Sequence, residues 1–206
     1  MAEQALPRDP ATGGQPDPSG LRLLPNLGLA RAAAMAIGVI AGLDLVLVLT
    51  STKNSGYRGV WSPGFGWFVV VLGALVFLVW SWRAHANAVA LSRHRHRRTP
   101  RLAAVWVVLG WIVPVVSLWF PYLIMADQYR SSGPHRTGNA PVVGAWWILD
   151  LAWSGMLLFS LLSASAQSSG RSPLLVAMVL VEVVDAALAI LIILRIGKWQ
   201  ESARHS

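Results

Sequence analysis

The chain has 206 residues, 55% of them hydrophobic and 13% charged, with 17 Lys and Arg against 9 Asp and Glu. A soluble domain carries roughly a quarter charged residues, and the apolar residues here come in runs near the length that a bilayer about 30 Å thick demands of a helix, so the composition excludes a soluble globular protein. The lack of cysteine excludes disulfides and thiolate metal sites, and a net charge of +8 whose cations flank apolar runs points to anionic lipid headgroups and not to nucleic acid.

Residues 1–27 begin MAEQALPRDPATGGQPDPSG, rich in Pro and Gly and without the basic-then-apolar layout of a signal peptide. They read as a disordered tail ahead of a helical membrane domain, residues 28–198, with 199–206 as a C-terminal tail. The first span is expected at 32–51. It carries Ala34, Gly38 and Gly42 at four-residue spacing, a small-residue face that lets another helix approach closely, within the bundle or from a second copy of the chain.

The second span is expected at 65–82 and runs into a basic loop with Arg83, Arg93, Arg95, Arg97, Arg98 and Arg101. His94 and His96 alternate with arginine there and have no acidic neighbour, so the loop suits a lipid surface and repels a metal ion.

The stretch 102–126 that follows is apolar enough to cross, yet it contains Pro114 and Pro121. If it crosses, the chain has five spans, and its Lys and Arg divide ten inside and seven outside. If it returns to the same side, they divide fourteen and three, in far better accord with the excess of cations on cytoplasmic loops. Each proline also removes a backbone donor and kinks a helix. The expected fold is therefore an all-α integral membrane protein with four transmembrane helices and a proline-broken re-entrant or interfacial element; five transmembrane helices is the alternative.

The last two spans are expected at 143–162 and 174–194, giving a multi-pass protein of the bacterial cell membrane with a cytoplasmic N-terminus. Four carboxylates fall near the span midpoints: Asp44, Asp150, Glu182 and Asp185. A midspan Asp costs about 2.5–3.5 kcal/mol on insertion scales, and no Lys or Arg lies at the same depth. These acids are either neutral, hydrogen-bonded structural groups or a polar site for a proton or small cation.

FLVWSWRAHANA, GWIVPVVSLWFPYLIM and GAWW follow one another along the chain, and in this order they resemble an uncharacterised bacterial membrane family, domain of unknown function 4328. The resemblance rests on Trp80, Arg83, Ala84 and Asn87, then Trp111, Pro114, Leu118, Trp119, Pro121 and Met125, then Trp146 and Trp147. It implies a multi-span membrane domain and supplies no activity or cofactor. Ser117 and the Asp127–Tyr129 run depart from the family pattern. Trp80, Arg83 and Asn87 share a helical face, and Arg83 and Asn87 are expected to supply donors to carbonyls freed in the Pro114–Pro121 segment.

The spans contain no histidine or lysine, and no nucleophile–base pair or phosphate-binding loop is visible. The expectation is a membrane protein without enzymatic activity or cofactor. Its leading role would be structural or interactive; the alternative is a small proton- or cation-conducting protein using the midspan acids.

Overall fold

A computed structural model describes residues 22–50, 65–95, 99–100, 102–133, 140–162 and 173–205. Six α-helices follow one another: α1 (Leu27–Thr50), α2 (Phe65–His94), α3 (Trp106–Ile112), α4 (Phe120–Ser132), α5 (Pro141–Leu162) and α6 (Pro173–Arg204), with a 3-10 turn at Val116–Leu118. No strand occurs among the described residues. Helices α1, α2, α5 and α6 are long and apolar enough to cross a membrane. The protein is an all-α integral membrane protein with four such helices.

Local chemistry sets the boundaries. Prolines open α5 and α6 and stand in the first turn of α4, where the missing N–H has no helical partner to lose. Val113 ends α3 in an extended conformation, φ −77 and ψ 113, because a residue preceding proline is driven out of the α region. The backbone resumes through the 3-10 turn and α4, so 102–126 contains no continuous helix. At 13 residues, α4 is about 20 Å long, short of a crossing.

Where the broken element goes is fixed by its contacts. Arg95, just past α2, donates from Nη1 to the Gly133 carbonyl at 3.1 Å, so the chain leaves α2 and finishes α4 at one end of the bundle. The seven-residue step from Gly133 to Ala140 reaches at most about 25 Å, too little to cross before α5 starts. The element is thus a hairpin that enters and leaves on the same side, and the five-span alternative is overturned. Gly110 permits the fold-back, since a Cβ there would stand 3.0 Å from Cβ of Phe120 and 3.1 Å from Cδ1 of Ile124. The outer face of the hairpin exposes Leu109, Ile112, Val115, Leu118 and Trp119, a surface suited to lipid.

Helices α2 and α6 have 30 and 32 residues, or about 45 and 48 Å, and project well beyond the hydrocarbon layer at the hairpin end. The tail expected at 199–206 is helical as far as Arg204, and α1 starts at Leu27, five residues before the expected span. Residues 1–21 of the expected N-terminal tail lie outside the described residues. Residues 22–26, assigned to that tail from sequence, form a non-helical strap with Leu23 and Asn26 buried. At the centre of the bundle Trp80, Ala84, Met125, Ala126, Val143, Trp146, Ile192, Ile193 and Ile196 pack as one buried apolar core.

Candidate functional site

Two polar regions interrupt this apolar bundle. The first lies at the membrane level. Asp150 of α5 and Glu182 and Asp185 of α6 line a cavity of about 180 Å³ with Ile37, Ile40 and Ala41 of α1, Trp153 and Ala186. Asp44 of α1 is 1% exposed and shares a side-chain hydrogen bond with Glu182. Trp146 donates its indole N–H to Asp185, which also faces Asp150. Four acids scattered over 142 positions of sequence thus meet on three helices.

The nearest basic residue along α6 is Arg195, ten positions past Asp185 and about 15 Å away. Among the described residues no three His, Cys, Asp or Glu side chains are arranged to hold a metal ion. Between the acids and the hairpin end, α6 presents buried Ala189, Ile192, Ile193 and Ile196.

The second region lies at the hairpin end and was not foreseen. Gln200 of α6 is 1% exposed and connects four segments. Its Oε1 accepts from Asn26 Nδ2 at 2.9 Å and from Asn87 Nδ2 at 3.1 Å. Its Nε2 donates to the Ala84 carbonyl and to Ser132 Oγ, both at 2.9 Å. Gln128 of α4, fully buried, donates to the carbonyl and the hydroxyl of Ser81 at 3.1 and 3.2 Å. A polar residue just past an apolar run reads from sequence as one facing the headgroups, which is why Asn26, Gln128 and Gln200 carried no signal.

The arginine motif belongs to this network, with a partner other than the expected one. Asn87 grips the strap by its backbone: Oδ1 accepts from Leu24 N at 2.8 Å and Nδ2 donates to Leu24 O at 2.9 Å. Arg83 donates from Nη1 to Pro25 O at 3.4 Å. The proline-broken segment is served locally instead, Ser117 Oγ donating to Pro114 O at 2.7 Å. The tryptophans of the motif do gather. Phe77 lies 5.6 Å from Trp80 and 5.0 Å from Trp111 by ring centroids, and Trp111 lies 6.4 Å from Trp146, itself 5.6 Å from Trp147. Pro121 is buried at the start of α4, whereas Trp119 is exposed.

The small-residue face of α1 divides. Ala34 is buried, a Cβ added to Gly38 would stand 3.5 Å from Cδ1 of Ile190, and one added to Gly42 would meet none of the described residues within 4 Å. The tightest approach of α1 to α6 is one turn nearer the hairpin end, between Ala30 and Gly197.

Neither a curated protein nor a solved structure matches the chain. The family model described as Domain of unknown function (DUF4328) matches residues 55–200, from just before α2 to Gln200 of the polar network. With more than half of its length covered, the chain belongs to the DUF4328 family of proteins.

Proposed function

We propose that this protein binds and exchanges a proton at Asp44, Asp150, Glu182 and Asp185, within a multi-pass protein of the bacterial inner membrane, and that it catalyses no chemical reaction. The observation that carries this reading is the meeting of Asp150, Glu182 and Asp185 from α5 and α6 on one small cavity, with Asp44 of α1 beside Glu182. Acids at this depth are costly and mark proton or ion sites. The hydrogen bond between two carboxyl groups favours a proton over a metal ion as the bound species, as does the lack of a metal-holding arrangement among the described residues. The buried apolar side chains below the acids favour a binding site open toward one side over a continuous conduit.

Orientation follows from charge. Every described Lys and Arg, from Arg22 and Arg31 to Arg195, Lys198 and Arg204, lies toward the hairpin end. By the positive-inside rule that end is cytoplasmic, with the N-terminus inside and the basic residues against anionic headgroups. No cofactor or nucleic acid enters this reading.

A second reading, a structural or interaction protein, is favoured by the open surface at Gly42, where a second copy could pack. Purified protein in liposomes separates the two. Under the proton-binding reading, carboxyl infrared bands change when the pH is stepped, the change is lost in Asp44→Asn with Glu182→Gln, and the liposomes stay tight to protons. Bands that ignore pH leave the structural role. Proton flux abolished by the amide variants replaces binding with conduction.

A further inference from the structure

Helices α1 and α6 run antiparallel, and two polar pairs join them. Asn26, just before α1, bonds Gln200 at 2.9 Å, and Asp44 bonds Glu182. Eighteen residues separate Asn26 from Asp44, and eighteen separate Gln200 from Glu182. Eighteen residues are five full turns of 3.6, about 27 Å, so Gln200 and Glu182 share a face of α6, and Asn26, whose carbonyl accepts from Ala30 N at the start of α1, stands in line with Asp44. The contacts between them follow the same register: Gly197 against Ala30 and Gly38 against Ile190.

The apolar part of this contact constrains the register at one close approach, Gly197 against Ala30, and is built elsewhere largely of small residues. The buried apolar residues of α1 are Ala30, Ala33, Ala34, Ala41 and Val48, and those of α6 include Ala186, Ala189 and Gly197 beside three isoleucines and Val179. Away from that one point, faces of small residues pack closely after a slip of one turn as well, and within a bilayer there is no hydrophobic penalty to discriminate between registers. Single buried polar pairs do discriminate, because a slip leaves both partners unsatisfied.

We infer that Asn26 and Gln200 are positioning residues for the acid site: their hydrogen bond, held by the Asn87 grip on Leu24, sets the register of α1 on α6 and thereby brings Asp44 to Glu182. The inference rests on the acid cluster as the functional site and concerns how that site is assembled. Asn87 takes part because it bonds both Leu24 and Gln200, so the strap cannot slide without breaking both Leu24 bonds and that of Asn26 to Gln200. Gln200 is itself fixed by Ala84 and Ser132, which makes the hairpin end a rigid reference for a site five turns away.

The experiment measures register and site separately. Spin labels at Thr50→Cys and Leu180→Cys report the register by electron–electron dipolar distances in nanodiscs, which the cysteine-free chain permits without background. Infrared difference spectra against Asp44→Asn report the Asp44–Glu182 bond. Asn26→Leu and Gln200→Leu are expected to shift or split the label distance by up to one turn, about 5 Å, and to turn the Asp44 band into the one seen in Glu182→Gln. The swap Asn26→Gln with Gln200→Asn should restore both. Asn26→Ala serves as the milder variant if the leucine variants do not fold. An unchanged distance in folded Asn26 and Gln200 variants overturns the inference, and so does an Asp44 band that changes while the distance does not. Acid bands that ignore pH in the wild type, with distances responding as expected, would instead sink the proton reading and leave the register assignment standing.

Discussion

Gly197 of α6 sits so close to Ala30 of α1 that a Cβ added to it would stand 2.7 Å from the Ala30 methyl. Ala30 and Gly197 are both buried, and Ile193 and Ile196 beside them pack into the same core. The two helices can be this near only because neither carries bulk at the crossing. We predict that Gly197→Val pushes them apart at a cost of about 1–3 kcal/mol, the range for overpacking, seen as a lower unfolding temperature in detergent. Gly155→Ala, where nothing lies within 4 Å, should be neutral or stabilising by up to about 1 kcal/mol through helix propensity. Equal effects of the two would mean that the crossing is not tight.

The hairpin topology has a labelling consequence. Cysteines at Thr99 and Ser202, both exposed at the hairpin end, should react with an impermeant maleimide from the same side of a sealed vesicle. Cysteines at Thr50 and Leu162, exposed at the other ends of α1 and α5, should react only from the opposite side. If Thr99 and Ser202 label from opposite sides, the stretch between α2 and α5 crosses after all.

The grip on the strap distinguishes two residues of one motif. Asn87→Leu leaves Leu24 N and Leu24 O without their partner, which predicts a loss of about 1–3 kcal/mol for each stranded group. Arg83→Lys should cost less than about 1 kcal/mol, since its one bond is 3.4 Å long and exposed. Thermal unfolding of the two variants in lipid nanodiscs checks the order, and a greater loss in the arginine variant would contradict it.

Trp146 couples the aromatic cluster to the acid site through its bond to Asp185. Trp146→Phe keeps a ring beside Trp111 and Trp147 and removes the donor. The expected result is a shifted Asp185 carboxyl stretch in isotope-edited spectra, with a stability loss of about 0.5–1.5 kcal/mol. An Asp185 band that does not move would show that the indole leaves this carboxyl alone.

From the sequence alone, the spans and the same-side hairpin were legible, because a bilayer imposes constraints that act along one dimension. Length, hydrophobicity and the side assigned to each cation can be counted without knowing any neighbour, and Pro114 acts on Val113, the adjacent residue. The midspan acids could be picked out for the same reason, as charges at an improbable depth. Which groups face one another is a different kind of information. Asn87 and Arg83 were recognised as polar groups needing partners, but their partners are the backbone of Leu24 and Pro25, and a carbonyl carries no sequence signature. Ser117 instead met the need of the proline segment from three residues away. The meeting of Asp44 with Glu182, and of Asn26 with Gln200, depends on the relative sliding of two helices. That sliding is decided by Gly197 against Ala30 and by hydrogen bonds across 174 positions of sequence, and so it exists only once the helices have packed.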